Sequence, residues 1–440
     1  MRDMKSVALC AIAGLAMSAS AFGASEATSY TSADEVRAIV SEMLADAETR
    51  SSLQSGGTAG HDGHFYLADS AGNFRLQIGG SVQFRYTMNF RDGDGDDDPD
   101  DVDGDGVPDP NPDLDEDFES GFSGPRTELV FSGNIAAPNL LYQVSGNFDR
   151  EGGEFELEDA WVAYAFENGM ILLFGQYRMP VLWEDVINDR YALAVDSSVV
   201  NGVYRQDWSQ GIWIHQSTEV IRYWAGFSDG IRSANTDFDA DNSDWALTGR
   251  IEGKWSGEWT QFDQFTSFPG SEYAGRAAFA THWQQGPLRN VDDDDLLLGA
   301  TDVDVFMKGD GWNAYAMGVW LHTDDETNDF DDYGAMVQGG LFFPGMEKLE
   351  VFARYDIVIP DEDRANDENF NTIATGVNYY LYGTAAKFTF DVQYFMEGSV
   401  ENDLVASIAT GDPGSRGNRI GLLPSDEESF AVRFQFQIIF

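Results

Sequence analysis

The sequence predicts an all-β fold: a transmembrane antiparallel β-barrel of about 16 strands, or 18, preceded by a short N-terminal helix. Three observations carry this. From Phe65 onward apolar side chains recur at every second residue. Short glycine-bearing turns alternate with long acidic loops. The last strand keeps its alternation to the final residue, Phe440.

The segment 74–90 shows the alternation best. Phe74, Leu76, Ile78, Val82, Phe84, Tyr86, Met88 and Phe90 share one face. Arg75, Gln77, Ser81, Gln83, Arg85, Thr87 and Asn89 share the other. A period of two puts the two sets on opposite sides of a strand. Residues 371–382 and 385–396 repeat the pattern around a turn at Tyr382-Gly383-Thr384. Asn168-Gly169, Asp310-Gly311, Pro344-Gly345 and Ala137-Pro138-Asn139 mark four more hairpins. The stretches 91–125, 286–295, 323–332, 359–370 and 397–428 read as the long connections. In a membrane barrel the short turns are periplasmic and the long loops external.

The C-terminal strand carries Phe430, Val432, Phe434, Phe436, Ile438 and Phe440 on one face. A bare apolar strand at the end of a soluble sandwich is an aggregation hazard. In a barrel it faces lipid, and a strand of this kind ending on Phe440 resembles the assembly signal that barrel-assembly machinery reads. Past the N-terminus no apolar run approaches the roughly 20 residues of a membrane helix.

Residues 1–23 read as a signal peptide. Arg2 and Lys5 precede an apolar stretch at 6–21, and small residues follow at Ala21, Gly23 and Ala24. The single cysteine, Cys10, lies inside it, so disulfide and thiol chemistry are absent from the mature chain. Residues 24–63 are expected to be periplasmic, with a short amphipathic helix and a linker. Ser32 and Glu35 form a capping box, and Val36, Val40, Met43 and Ala47 follow on one face. This is either a seam between subunits or a leader helix. Residues 64–440 are the barrel. Export plus a barrel implies the outer membrane of a diderm bacterium, with its lipid as the surrounding solvent.

Residues 126–190 resemble the phosphate-selective porin O and P family. The matching pieces are RTELVFSGNI at 126–135, YQVSGNFDREGGEFELEDAWVAY at 142–164 and LLFGQYRMPVLWED at 172–185. The family's Leu-x-Asp-Ala-x-Val-x-Tyr strand is matched by Leu157, Asp159, Ala160, Val162 and Tyr164, and its Gly-Gln-x-x-x-Pro turn by Gly175, Gln176 and Pro180. The resemblance implies a 16-stranded porin, usually a homotrimer, with loops folded into the lumen. It departs where selectivity is set. The family's Glu-Arg-Ser motif is missing from SSVVNGVYRQDW at 197–208, and basic residues are scarce.

The charge argues for cations. The chain has 26 Lys and Arg against 76 Asp and Glu, a formal charge of −50. Removing residues 1–23 makes this −51, and setting aside the 13 Asp and two Glu of residues 92–119 leaves −36. A pore in such a field concentrates cations and repels anions. The expected activity is therefore passive diffusion of small hydrophilic solutes or ions through a water-filled barrel, with cations preferred. The alternatives are a phosphate- or anion-selective porin, as the resemblance implies, and a surface structural or adhesive barrel. Arg75, Arg85, Arg126, Arg178 and Arg433 lie in or beside strands and are the pore-lining candidates. They form an anion-guiding track, or they pair with inward carboxylates such as Glu128 and Asp391. The acid excess favours pairing.

The acidic loop at 92–119 contains Asp101, Asp103, Asp105 and Asp109 in D-x-D-x-D-G spacing, a candidate Ca²⁺ site. Pro112 stands where an EF-hand has its closing glutamate. The rival reading is a solvated acidic loop. No cofactor is required by anything in the sequence. The chain is read as a non-enzyme: five scattered histidines lack metal spacing, and His322 beside Asp324 and Asp325 is the only faint catalytic pairing. Nucleic-acid binding conflicts with the net charge.

Overall fold

The computed structural model describes residues 57–91, 118–148, 153–240, 243–286, 296–325, 327–409 and 416–440. The predicted signal peptide, the N-terminal helix and the loop aspartates Asp101, Asp103, Asp105 and Asp109 lie outside them. Residues 58–440 form one compact unit.

Two short strands open it, β1 (Gly57–His61) and β2 (Phe65–Asp69). Sixteen further strands follow. They are β3 (Arg75–Phe90), β4 (Phe118–Asn134), β5 (Leu140–Phe148), β6 (Phe155–Ala165), β7 (Met170–Arg178), β8 (Trp208–Ser217), β9 (Ile221–Ser228) and β10 (Trp245–Ser256). The second half is β11 (Ala274–Gln285), β12 (Leu297–Gly309), β13 (Trp312–Asp324), β14 (Asp329–Phe342), β15 (Leu349–Ile359), β16 (Phe370–Tyr380), β17 (Ala386–Phe395) and β18 (Ser429–Ile439). Each of the sixteen pairs antiparallel with its sequence neighbour, and β18 returns to β3, with Gln435 opposite Arg85. The sheet closes, which removes every free edge of the barrel. Phe440 completes the seam: its N–H donates to the Gly80 carbonyl and its carbonyl accepts from the Gly80 N–H, both at 3.0 Å.

The faces are inverted relative to a soluble protein. On β3, Val82 and Phe84 are 44% and 54% exposed, whereas Gln83 and Arg85 are each 1% exposed. On β18, Phe430, Phe434 and Ile438 point out while Arg433, Gln435 and Gln437 are buried. An apolar exterior with a polar interior is stable only where the outer solvent is hydrocarbon. The protein is a β-barrel of the bacterial outer membrane. Among the described residues no helix is long and apolar enough to cross a membrane.

The tight turns fall where the sequence places them, with Gly169 at φ 82° and Gly311 at φ 75°, a region open to glycine. Two boundaries differ. The periplasmic stretch expected at 24–63 contains β1, and the predicted loop 91–125 ends earlier because β4 starts at Phe118. Residues 118–125 carry Phe118 and Phe122 outward, at 46% and 72% exposure, so they continue the lipid face despite two glycines and Glu119.

Candidate functional site

The lumen is packed by three inward segments. Residues 179–207, between β7 and β8, hold Met179, Val181, Leu182, Trp183, Val199 and Val200, all 0–3% exposed. A connection this apolar cannot face water and so turns inside. Residues 396–409 and 416–428 contribute Val405 and Leu422, and residues 257–273 contribute Phe262 and Phe265, to the same cluster. That cluster fills the β11–β17 side against Phe306, Tyr315, Phe352, Phe370 and Phe395. The lumen is therefore not a uniform water-filled tube.

Wall side chains fasten segment 179–207 along its length. Asp196 receives Arg85 at 3.2 Å and Arg126 at 3.1 Å, and Arg126 also pairs with Asp189 at 2.6 Å. Arg354 donates to the carbonyls of Asp196 and Ser197 at 2.8 and 3.1 Å. Asp391 accepts from the Val195 N–H, and Asp356 from the Val199 N–H. Burial alone would raise the carboxyl of Asp196, but the guanidiniums of Arg126 and Arg85 hold it below the usual carboxylate range. Glu184 behaves oppositely. Burial pushes it up to about 7, although Arg354 and the Ser198 hydrogen bonds pull the other way.

Polar space lies along the opposite wall. A cavity of about 400 Å³ is lined by Glu128, Glu158, Asp159, Trp161 and Arg178 from the wall, with Asn188, Arg190 and Tyr191 from the inward segment. Two β-bulges build it. Between β5 and β6 the pairing slips from Val144–Ala160 to Gly146–Leu157, so Glu158 and Asp159 together oppose one residue. A regular strand sends adjacent side chains to opposite faces; the bulge lets both carboxylates line the cavity. A second slip, between Gln83 and Arg85 on β3, reverses the parity of β4 and turns Arg126 and Glu128 inward.

The cavity's charges are unequal. Arg190 pairs with Glu128 at 3.1 Å, and Arg178 pairs with Asp185 at 3.6 Å while its guanidinium lies 3.7 Å from the Trp208 ring centre. Asp159 accepts from Gln143 at 3.0 Å, Ser145 at 2.9 Å and Trp208 at 3.3 Å. Neither Glu158 nor Asp159 has an ion-pair partner within 4.0 Å among the described residues. The cavity acids that no arginine pairs with are Glu158 and Asp159.

The predicted pore-lining residues thus separate. Glu128 and Arg178 line the cavity, and Arg126 stands next to it on Asp189. Arg85 clamps the inward segment. Arg433 pairs with Asp391 at 2.7 Å and donates to the Ile420 carbonyl, away from the cavity. Arg75 binds Asp62 at 2.5 Å. Glu158, Asp189, Arg190 and Asp196 were not singled out from the sequence. Strict alternation hides Glu158, whose neighbour Asp159 occupies the inward parity of Trp161. The other three sit in a segment whose one visible signal is its apolar content among acidic loops.

Among the described residues no group of three or more His, Cys, Asp or Glu is set to hold a metal ion. His322 meets Asp331 at 3.1 Å and Asp329 at 3.6 Å across the β13–β14 pair, rather than its sequence neighbours Asp324 and Asp325. Residues 226–230 have G-x-S-x-G spacing, but Ser228 ends strand β9 and accepts from the Gly230 N–H at 3.4 Å. It does not stand on the strand-to-helix elbow that exposes a serine nucleophile.

No family model matches the chain, and no curated protein matches it. Solved structures of similar fold are outer-membrane porins and channels. An anion-selective porin from Comamonas acidovorans is 11% identical over 83% of this chain and 99% of its own, with a TM-score of 0.52. The DcaP channel of Acinetobacter baumannii is 12% identical over 84% and 99%, at 0.50. Salmonella typhi OmpF, solved with daunomycin, is 10% identical over 84% and 99%, at 0.53. The likeness establishes a porin-type barrel fold. The narrower resemblance to the phosphate-selective O and P family has no matching family model behind it.

Proposed function

We propose that the protein is an outer-membrane channel for passive diffusion of small hydrophilic solutes, that its path follows the β3–β8 wall, and that it prefers cations. One observation carries the preference: Glu158 and Asp159 face the cavity without ion pairs, while both arginines lining it are neutralised. The acidic chain surrounding it adds a field of the same sign. The anion-selective reading draws on the O and P resemblance and on the Comamonas porin's description. The wall arginines weigh against it, because Arg85, Arg126 and Arg433 are engaged by Asp196, Asp189 and Asp391. Homotrimeric assembly is proposed on the sequence resemblance, and Ca²⁺ binding at Asp101, Asp103, Asp105 and Asp109 on their spacing.

The test is the reversal potential of purified protein in planar bilayers under a KCl gradient, for the native chain and Glu158→Gln. The native channel is expected to show stepwise openings with potassium preferred. One full charge at a few ångströms in water is worth about 1 kcal/mol, so the variant should lower the cation-to-anion ratio by at most roughly fivefold. Chloride preference in the native channel would establish the anion reading instead.

A further inference from the structure

Trp183 stands where segments that enter the lumen from its two ends meet. Segment 179–207 enters from the long-loop end. Segment 257–273 connects β10 to β11 at the opposite end, where every other connection among the described residues is short. The two meet through Trp183, whose indole N–H donates to the Phe262 carbonyl at 3.0 Å.

The ring itself is held by three cations. The guanidiniums of Arg222 on β9, Arg250 on β10 and Arg276 on β11 lie 4.5, 4.9 and 4.9 Å from its centre. They are fixed in turn by carboxylates. Arg250 pairs with Glu252 at 2.7 Å and with Asp304 at 2.5 Å, Arg276 pairs with Asp304 at 2.5 Å, and Arg222 pairs with Glu252. Arg250 also donates to the Val181 carbonyl at 2.9 Å, so one side chain grips the segment at two points. Tryptophan gives the strongest cation–π contact of the aromatic side chains, and desolvation strengthens it. Trp183 is 3% exposed.

The same segment, a few residues on, supplies Asn188, Arg190 and Tyr191 to the cavity. Its hold on the β9–β11 wall therefore fixes how far it stands from the β3–β7 wall. Resting on the channel reading above, we infer that Trp183 is a specificity-determining latch: it closes the β9–β11 side of the lumen and thereby sets the largest solute that passes.

Single-channel conductance, with exclusion of neutral polyethylene glycols of graded size, tests this on Trp183→Ala, Trp183→Phe and Arg222→Gln. Trp183→Ala is expected to raise conductance about twofold, as the open section spreads from one wall to both, and to admit polymers the native channel excludes. Arg222→Gln should move both readings the same way by less, since Arg250 and Arg276 remain. Trp183→Phe keeps a ring for the guanidiniums and should stay near native values. Native conductance and cutoff in Trp183→Ala overturn the inference. If that variant does not assemble, an unchanged cutoff in Arg222→Gln overturns it, and a raised one sustains it. A native protein with no stepwise conductance removes the channel reading itself, a separate outcome.

Discussion

Glu184 makes the inward segment sensitive to pH, in a direction opposite to most carboxylates. Its carboxyl sits in the lumen at 5% exposure, accepting from the Ser198 N–H at 3.0 Å and the Ser198 hydroxyl at 2.5 Å, with Arg354 at 3.7 Å. Burial displaces it from 4.5 to about 7. Because the folded state holds this proton more tightly than the unfolded chain, its contribution is complete below pH 4.5 and is lost as pH rises to about 7. That displacement corresponds to roughly 3 kcal/mol. Glu184→Gln cannot ionise, and its amide reproduces both contacts with Ser198. Arg354 retains Asp356 at 3.5 Å and its two carbonyl acceptors. Urea unfolding in detergent micelles, followed by tryptophan fluorescence from pH 4 to 9, measures the effect. The informative quantity is native stability minus variant stability, because other carboxylates titrate in both proteins. That difference should fall by roughly 3 kcal/mol across the window and level off above it. A difference that is flat, or that rises with pH, refutes the reasoning.

Closure of the barrel depends on Gly80, beside the terminal residue. A Cβ there would lie 2.4 Å from the Glu128 carbonyl oxygen and 2.9 Å from the Phe440 ring, so Gly80→Ala should destabilise by about 2 kcal/mol or more. Gly249 on β10 has nothing within 4 Å of the same position, and Gly249→Ala should be neutral or stabilising by roughly 0.5 kcal/mol. The temperature at which heated, detergent-solubilised protein loses its compact electrophoretic form ranks the two. Equal behaviour would contradict the role given to the seam.

The barrel itself was legible because its cause is local. The 74–90 alternation became β3 over Arg75–Phe90, and the terminal aromatic run became β18. Two solvents act on two faces, and a period of two records both. The hairpins at Asn168-Gly169 and Asp310-Gly311 were readable for the same reason, since one or two residues decide a turn. The site was less legible because it arises from departures from that rule. Glu158 reaches the cavity through a bulge, which the alternation pattern assigns to the other face. Arg85 and Arg433 lie on inward faces, and their partners, Asp196 and the Ile420 carbonyl, lie on inward segments that strand alternation does not locate. Pairing with Asp391 was anticipated for the inward arginines, and Arg433 makes it. Glu128 instead takes Arg190, from a segment whose inward course was not fixed by any short-range signal.

Two residues on one strand decide the central claim. Glu158 lines the cavity, whereas Val162 on the same strand is 53% exposed on the outer face. Cysteines placed singly at these positions, in a chain whose one native cysteine is Cys10, would meet a water-soluble charged methanethiosulfonate during bilayer recording. Modification at position 158 should cut the current within the recording, and position 162 should leave it unchanged. Current loss at 162 with none at 158 would mean that solutes do not pass along the β3–β8 wall.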